Sequence, residues 1–149
     1  MKLRDFAMQT ASVHTSPDPS ALSSRGVLTI AVDRVQNLIK VVGRGFWSVE
    51  HVAAHIREFE AVLIEARRSG QPSRTLVDLR DAPVQAPEVA GMLHTAMCRM
   101  YRPPERAAII VASSLVKMQM KRGFNPATHG VFTSETAAEL WLNAYHRAC

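Results

Sequence analysis

The sequence predicts an α/β domain built on a mixed, mostly parallel sheet with a leading β-hairpin and about four helices. Three observations point there. Residues 75–79 form a short apolar run broken only by Asp78, and residues 106–112, with Ala-Ala-Ile-Ile-Val inside, form a second. Runs that are apolar on both faces read as strands in the interior of a sheet. Stretches with apolar residues at helical spacing flank both runs, so strands and helices alternate as in β-α-β units. Two further apolar stretches precede the first helix and lie on either side of a turn-sized segment.

Residues 1–25 hold Thr10, Ser12, Thr15, Ser16-Pro17-Asp18-Pro19-Ser20 and Ser23-Ser24, with weak periodicity. They read as a flexible leader before a single domain at 26–149, with a short helical piece at 3–8. Residues 27–32 alternate apolar side chains with Thr29 and Ala31, as a strand does. Residues 33–37 are the connection, with Asn37 as turn former, and 38–42 the return strand. Gly43-Arg44-Gly45 supplies a tight exit, and Ser48 caps a helix with Glu50 in its first turn. Trp47, just ahead of the cap, is placed to staple onto Val52. The stripe Val49, Val52, Ala53, Ile56, Phe59, Leu63 carries this helix to about Arg68, and Gly70 ends it.

After the central strand at 75–79, a charged cluster of Asp78, Arg80 and Asp81 marks the strand end, and Pro87 opens a second helix. Its core stripe is Val89, Leu93, Ala96 and Met100, with Met92 beside it, and Pro103-Pro104 stops it. Ser113 or Ser114 caps a third helix running through Lys121. Residues 130–133 are the last strand, and Ser134 caps a closing helix with the stripe Ala137, Leu140, Trp141, Ala144. The predicted order is β-β-α-β-α-β-α-β-α, with helices on both faces of the sheet.

At 149 residues, 47% hydrophobic and 21% charged, the composition is that of an ordinary globular domain large enough to bury a core. No apolar run is long enough for a membrane span, and no apolar h-region follows the first residues. The two cysteines, Cys98 and Cys149, make no disulfide framework. A cytoplasmic location is the expectation. The net charge of +5 is spread over small groups without interleaved aromatics, so a solvated surface is expected rather than a nucleic-acid partner.

The candidate chemistry is thin. His51 and His55 lie four apart, as do His94 and Cys98, but neither pair has a third ligand at a readable spacing, so no metal is expected. No nucleophile turn and no phosphate loop is present, and Gly43-Arg44-Gly45 is too short for a dinucleotide fingerprint. Asp78 and Asp81 could form an acid/base pair, but Asp78 holding loop amides and Asp81 making a turn or pairing with Arg80 is the favoured reading. Met97, Met100, Met118 and Met120 beside Lys117 and Lys121 read as core filling ahead of an adaptable binding face. The carboxyl ends of parallel strands are where open sheets take ligands. That edge gathers Arg44, Trp47, Asp78, Arg80, Asp81, Ser113 and Ser114 as candidate ligand or partner residues, with Thr133 and Ser134 beside them.

Several segments together resemble a known family: Gly45-Phe-Trp-Ser-Val-Glu50 leading into a long helix, Leu76-Val-Asp-Leu-Arg80, Ala108-Ile-Ile-Val111 with Ser113-Ser114 after it, and Val131-Phe-Thr-Ser-Glu-Thr-Ala-Ala-Glu-Leu-Trp-Leu142. This chain is similar over 27–145 to the SpoIIAA-like family, relatives of the STAS domain of anti-sigma-factor antagonists. The resemblance implies a STAS-like α/β sandwich and a protein-binding module rather than an enzyme; no cofactor is expected. In the antagonists a serine at the start of the helix after the central strand is phosphorylated to release the partner. Here residues 84–89 contain no Ser, Thr or Tyr, and Pro87 and Glu88 stand where the acceptor would be. The expected function is a non-catalytic regulatory or protein-interaction module without that switch, its partner unidentified. The alternative is a domain binding a small apolar ligand or lipid in a pocket between helices and sheet. A homodimer is expected through Gly91, His94, Cys98 and Tyr101, a stripe off the core face of the second helix.

Overall fold

A computed structural model describes residues 26–148. The expected leader at 1–25 lies outside the described residues. Five strands, β1 (Val27–Asp33), β2 (Leu38–Arg44), β3 (Arg74–Asp81), β4 (Arg106–Ile110) and β5 (His129–Phe132), form one sheet in the order β1-β2-β3-β4-β5. β1 and β2 are antiparallel and all later neighbours are parallel. Four helices follow β2 in alternation: α1 (Val49–Arg67), α2 (Pro87–Met100), α3 (Ser114–Lys121) and α4 (Glu135–Ala148). The fold expected from the sequence is the one observed. No helix among the described residues is long and apolar enough to cross a membrane.

The parallel crossovers all step the same way across the sheet. Crossovers of one hand that never reverse direction place their helices on one face. The cores agree: Ile39, Val41, Val77 and Ile109 meet Phe59 and Leu63 of α1 and Ala96 and Met100 of α2. Among the described helices only α4 reaches the opposite face, where Ala138 and Leu142 pack on Leu38, Leu76, Ala108 and Ile110. Among the described residues helices do lie on both faces, but three to one. Past Leu38, that second face of β1 and β2 has no helical cover among the described residues, and Thr29, Ala31 and Lys40 are exposed there.

Local signals act as their chemistry dictates. Ser48 Oγ accepts the His51 amide and Ser113 Oγ accepts the Val116 amide, each satisfying an orphan N–H of a helix start. Trp47, Val52 and Val89 share a cluster at the start of α1, the staple expected there. Asn37 takes φ 53° in the β1–β2 turn, where a residue tolerant of the left-handed region is needed. Gly43, expected as part of a strand exit, lies inside β2, and a Cβ there would sit 2.7 Å from the Trp47 ring. Its missing side chain is what lets the indole lie across the strand.

The α4 stripe is corrected. Ala138 and Leu142 are buried and Trp141 is half-buried, while Leu140 is 60% exposed and Ala137 and Ala144 face solvent. Ala137, Ala138, Leu140, Trp141 and Leu142 allow two overlapping helical stripes, and only the sheet surface decides between them. β3 extends past 79 to Asp81 because β2 keeps pairing with it through an irregularity between Val42 and Arg44. β4 stops at Ile110 and β5 runs one residue earlier than expected, because ladder partners rather than apolar character bound a strand.

Candidate functional site

The expected residues lie along the carboxyl ends of the strands, but the edge is not a crevice. A crevice forms where strand order reverses and neighbouring crossovers leave on opposite faces. This order never reverses. The edge is therefore a shallow surface, and its residues divide into three groups.

The first group is an ion-pair network. Arg80 donates from Nε to Asp78 Oδ1 at 3.0 Å and from Nη2 to Asp78 Oδ2 at 2.7 Å. The same Nη2 reaches Glu135 Oε1 of α4 at 3.2 Å. The Arg80 hydrogen bonds hold the Asp78 carboxyl below the usual carboxylate range, and Asp78 in turn raises the arginine. Asp78 also accepts the Arg80 amide, the local role expected for it. The expected pairing of Asp81 with Arg80 does not occur: Asp78 and Arg80 alternate with Asp81 along the strand, so only the first two share a face. Glu135 was not singled out in the sequence, and its 55-residue separation from Arg80 carries no local signal.

The second group is a clamped pair of loops. Trp47 is only 6% exposed. Its indole Nε1 donates to the carbonyls of Val27 and Arg44, each at 3.0 Å, tying the start of β1 to the end of β2. The Gln85 side chain accepts the Trp47 amide at 3.0 Å and donates to the carbonyls of Gly45 and Pro83. The Gly45 amide donates to the Asp81 carbonyl at 3.2 Å. One half-buried amide side chain thus fixes the 45–47 loop against the 82–86 loop. Between them they hold Phe46, 53% exposed, and Val84, 79% exposed, outward beside the exposed Arg44 and Asp81. Sequence reasoning missed Gln85, Phe46 and Val84. The available signal was a lone amide inside an otherwise apolar, proline-bounded loop, and two adjacent aromatics of which only one could enter the core.

The third group consists of helix starts. Ser113 and Ser134 spend their hydroxyls as caps, on the Val116 and Ala137 amides, while Ser114 is the first residue of α3 and is exposed. Ala86 precedes α2 with no side-chain cap, Pro87 opens the helix, and Glu88 puts an acid in its first turn. That helix start therefore has no hydroxyl acceptor.

Away from this edge, an apolar cleft of about 60 Å³ lies between α1, α2 and the sheet, lined among others by Ile56, Phe59, Leu93, Met97 and His55. His55 Nδ1 is buried with no hydrogen-bond partner, and burial, helped by nearby His51, pushes this imidazole down to about 4. The cleft is well under half the ~150 Å³ of a dry cavity that takes benzene. It fits a group of a few heavy atoms, and an acyl chain would require α1 and α2 to part.

The helix-two stripe expected at a dimer interface is largely used within the chain. Tyr101 is buried and donates to Thr75 Oγ1 at 3.1 Å. His94 Nε2 donates to the Gly123 carbonyl at 2.7 Å, with Cys98 Sγ 3.6 Å from the same nitrogen. Of the four methionines singled out in the sequence, Met100 is buried, Met97 and Met120 pack on the core, and Met118 is mostly exposed. Among the described residues no group of three or more His, Cys, Asp or Glu could hold a metal ion.

No protein-family model matches this chain, and no curated protein does. Solved structures do. An uncharacterised protein of the DUF3478 family with a SpoIIAA-like fold, from Shewanella loihica PV-4, superposes with a TM-score of 0.59 at 19% identity, covering 80% of this chain and 97% of that one. An anti-sigma factor antagonist from Mycobacterium paratuberculosis superposes with a TM-score of 0.55 at 11% identity, covering 78% of this chain and 95% of that one. At these identities the likeness establishes the fold, and the fold read from the sequence is the one shared.

Proposed function

We propose that this chain, which has a SpoIIAA-like fold, is a non-catalytic regulatory module of the cytoplasm that binds a protein partner through the carboxyl edge of its sheet. The observation that carries this reading is the pair of exposed apolar residues, Phe46 and Val84, on loops tied together by Gln85 beside the exposed Arg44 and Asp81. Apolar anchors within a charged rim, fixed before binding, are the make-up of a protein-binding patch. The likeness in fold to an anti-sigma factor antagonist supports a regulatory role. The partner contact is constitutive in this reading, because the start of α2 offers no hydroxyl to phosphorylate.

The test is affinity capture from host lysate with the wild-type chain and with Val84→Asp. The expected result is a protein retained by the first and lost by the second, with equal melting temperatures. Equal capture by both chains would remove the edge from consideration. Phosphopeptide mapping adds a second check: a phosphate on Ser113 or Ser114 that abolishes capture would replace the constitutive reading with a relocated switch.

The apolar cleft supports a second reading, a small apolar ligand seated against Leu93 and Met97 with a donor group on His55 Nδ1. Native mass spectrometry of the purified chain separates the two. A bound small molecule displaced by Leu93→Trp, without any captured protein, favours the cleft.

A further inference from the structure

The two edges of the sheet are unlike. β5 is four residues long, whereas β1 is seven, and among the described residues nothing pairs with its outer side. An unpaired edge is a template for another strand, and proteins usually blunt it with a proline, a bulge, a central charge or short length. β1 has none of these. Val27–Asp33 contains no proline, its register with β2 is unbroken through seven pairs, and its one charge is the last residue. On the α1 side of this edge Val32 is 42% exposed. A groove of about 500 Å³ opens there, floored by Val32, Ala61, Val62 and Ala66 and rimmed by Arg34 and Glu65.

We propose that the β1 edge is where a second copy of this chain docks, by antiparallel pairing of β1 with β1 about a two-fold axis at Ile30. The sequence of the strand is self-complementary in that register. With Ile30 opposite its own copy, Leu28 falls opposite Val32, and all three lie on the α1 face, where they oppose Gly43, Val41 and Ile39 of β2. Apolar cross-strand pairs of this kind stabilise a ladder. Thr29 falls opposite Ala31 and Asp33 opposite Val27, so no like charges meet. Moving the axis to Val32 would set Ile30 against Arg34, and moving it to Leu28 would set Ile30 against Gly26. The groove rim carries both signs, with Arg68 bonded to Glu65 at 3.3 Å, so one copy does not repel the other. A seven-residue strand pair alone falls short of the ~800 Å² per partner of a standard interface, so the groove and the exposed Ala61 and Ile64 of α1 must join it.

The test is sedimentation velocity of the full chain, with thiols reduced, from low micromolar to near-millimolar concentration, with hydrogen exchange of the residues 26–33 followed over the same series. The expected result is a monomer–dimer equilibrium in which the β1 amides slow as dimer forms. Val32→Lys and Ala61→Arg should each weaken the dimer about tenfold or more. Ala61→Arg fills the groove without altering the strand, so it stands even where Val32→Lys disturbs folding. A monomer at every concentration overturns the proposal. So does a dimer unchanged by both substitutions or protected on α2 instead. β1 amides slow in a monomer at every concentration would also overturn it, since the chain's own leader would then cover the edge.

Discussion

Two arginine–carboxylate pairs stand at opposite ends of this sheet, and they do different things. At the amino ends of β3 and β4, Arg67 donates to Glu105 from Nε at 2.6 Å and from Nη2 at 2.8 Å, and also to the Met100 carbonyl. Glu105 is 5% exposed. Burial pushes its carboxyl up, but the bonds from Arg67 and from the Arg102 amide outweigh this and hold it below its ordinary value. The last turns of α1 and α2 and the start of β4 are thereby locked together. At the carboxyl end, the Arg80 network uses the same bonds in the open, with Arg80, Asp78 and Glu135 side chains 41%, 30% and 51% exposed. Water competes for an exposed pair, and losing one partner leaves nothing stranded. Losing one partner of the buried pair strands a charge. Bond geometry therefore does not reveal which pair holds the fold; burial does.

Predictions from this contrast run from the packed interior outward. Ile110→Ala, at a fully buried position of β4, should cost about 2–5 kcal/mol, and Leu76→Ala a similar amount, by thermal or denaturant unfolding. Arg67→Met should cost about 2–4 kcal/mol, somewhat below the usual figure for breaking a buried pair because the arginine side chain is 28% exposed. Arg67→Met combined with Glu105→Leu should cost less than Arg67→Met alone, since the stranded carboxylate is gone. If the single change is harmless, the distinction between the two pairs fails.

Acid should act on the helix-covered face. Burial, with His94 adding to it, pushes His129 down to about 4, as it does His55. Unfolded, both titrate near 6.5, so between pH 6.5 and 4 the unfolded chain binds more protons than the folded one. Their contribution is complete above that window and is lost as pH falls through it; Glu105, also lowered, adds loss at the acid end. Melting temperature should fall on acidification through this range, and His55→Phe should flatten the slope. The smallest expected effect is that of Arg80→Ala, which should leave the melting temperature essentially unchanged.

What was legible in the sequence follows the same division. β3 and β4 announced themselves because a strand buried on both faces must be apolar at nearly every position. Ser48, Ser113 and Gly70 marked helix ends because capping is chemistry between near neighbours. The one-way strand order was not legible, since it is fixed by which crossover helices pack together. Nor was the Arg67–Glu105 lock, which joins residues 38 apart with no local signal between them. At the carboxyl edge the residues expected at the strand ends do lie there, while the contacts of Gln85 and Glu135 were not legible. Their roles come from long-range contacts with Trp47 and Arg80.

The central proposal is that the exposed residues of the carboxyl edge bind a partner while contributing little to the fold. Its most direct test is one doubly substituted chain, Phe46→Ser with Arg80→Ala, carried through both a thermal melt and the capture experiment. The predicted result is a melting temperature close to wild type and a captured protein lost. A variant that melts as early as Arg67→Met, or that retains the partner at the wild-type level, would contradict the claim.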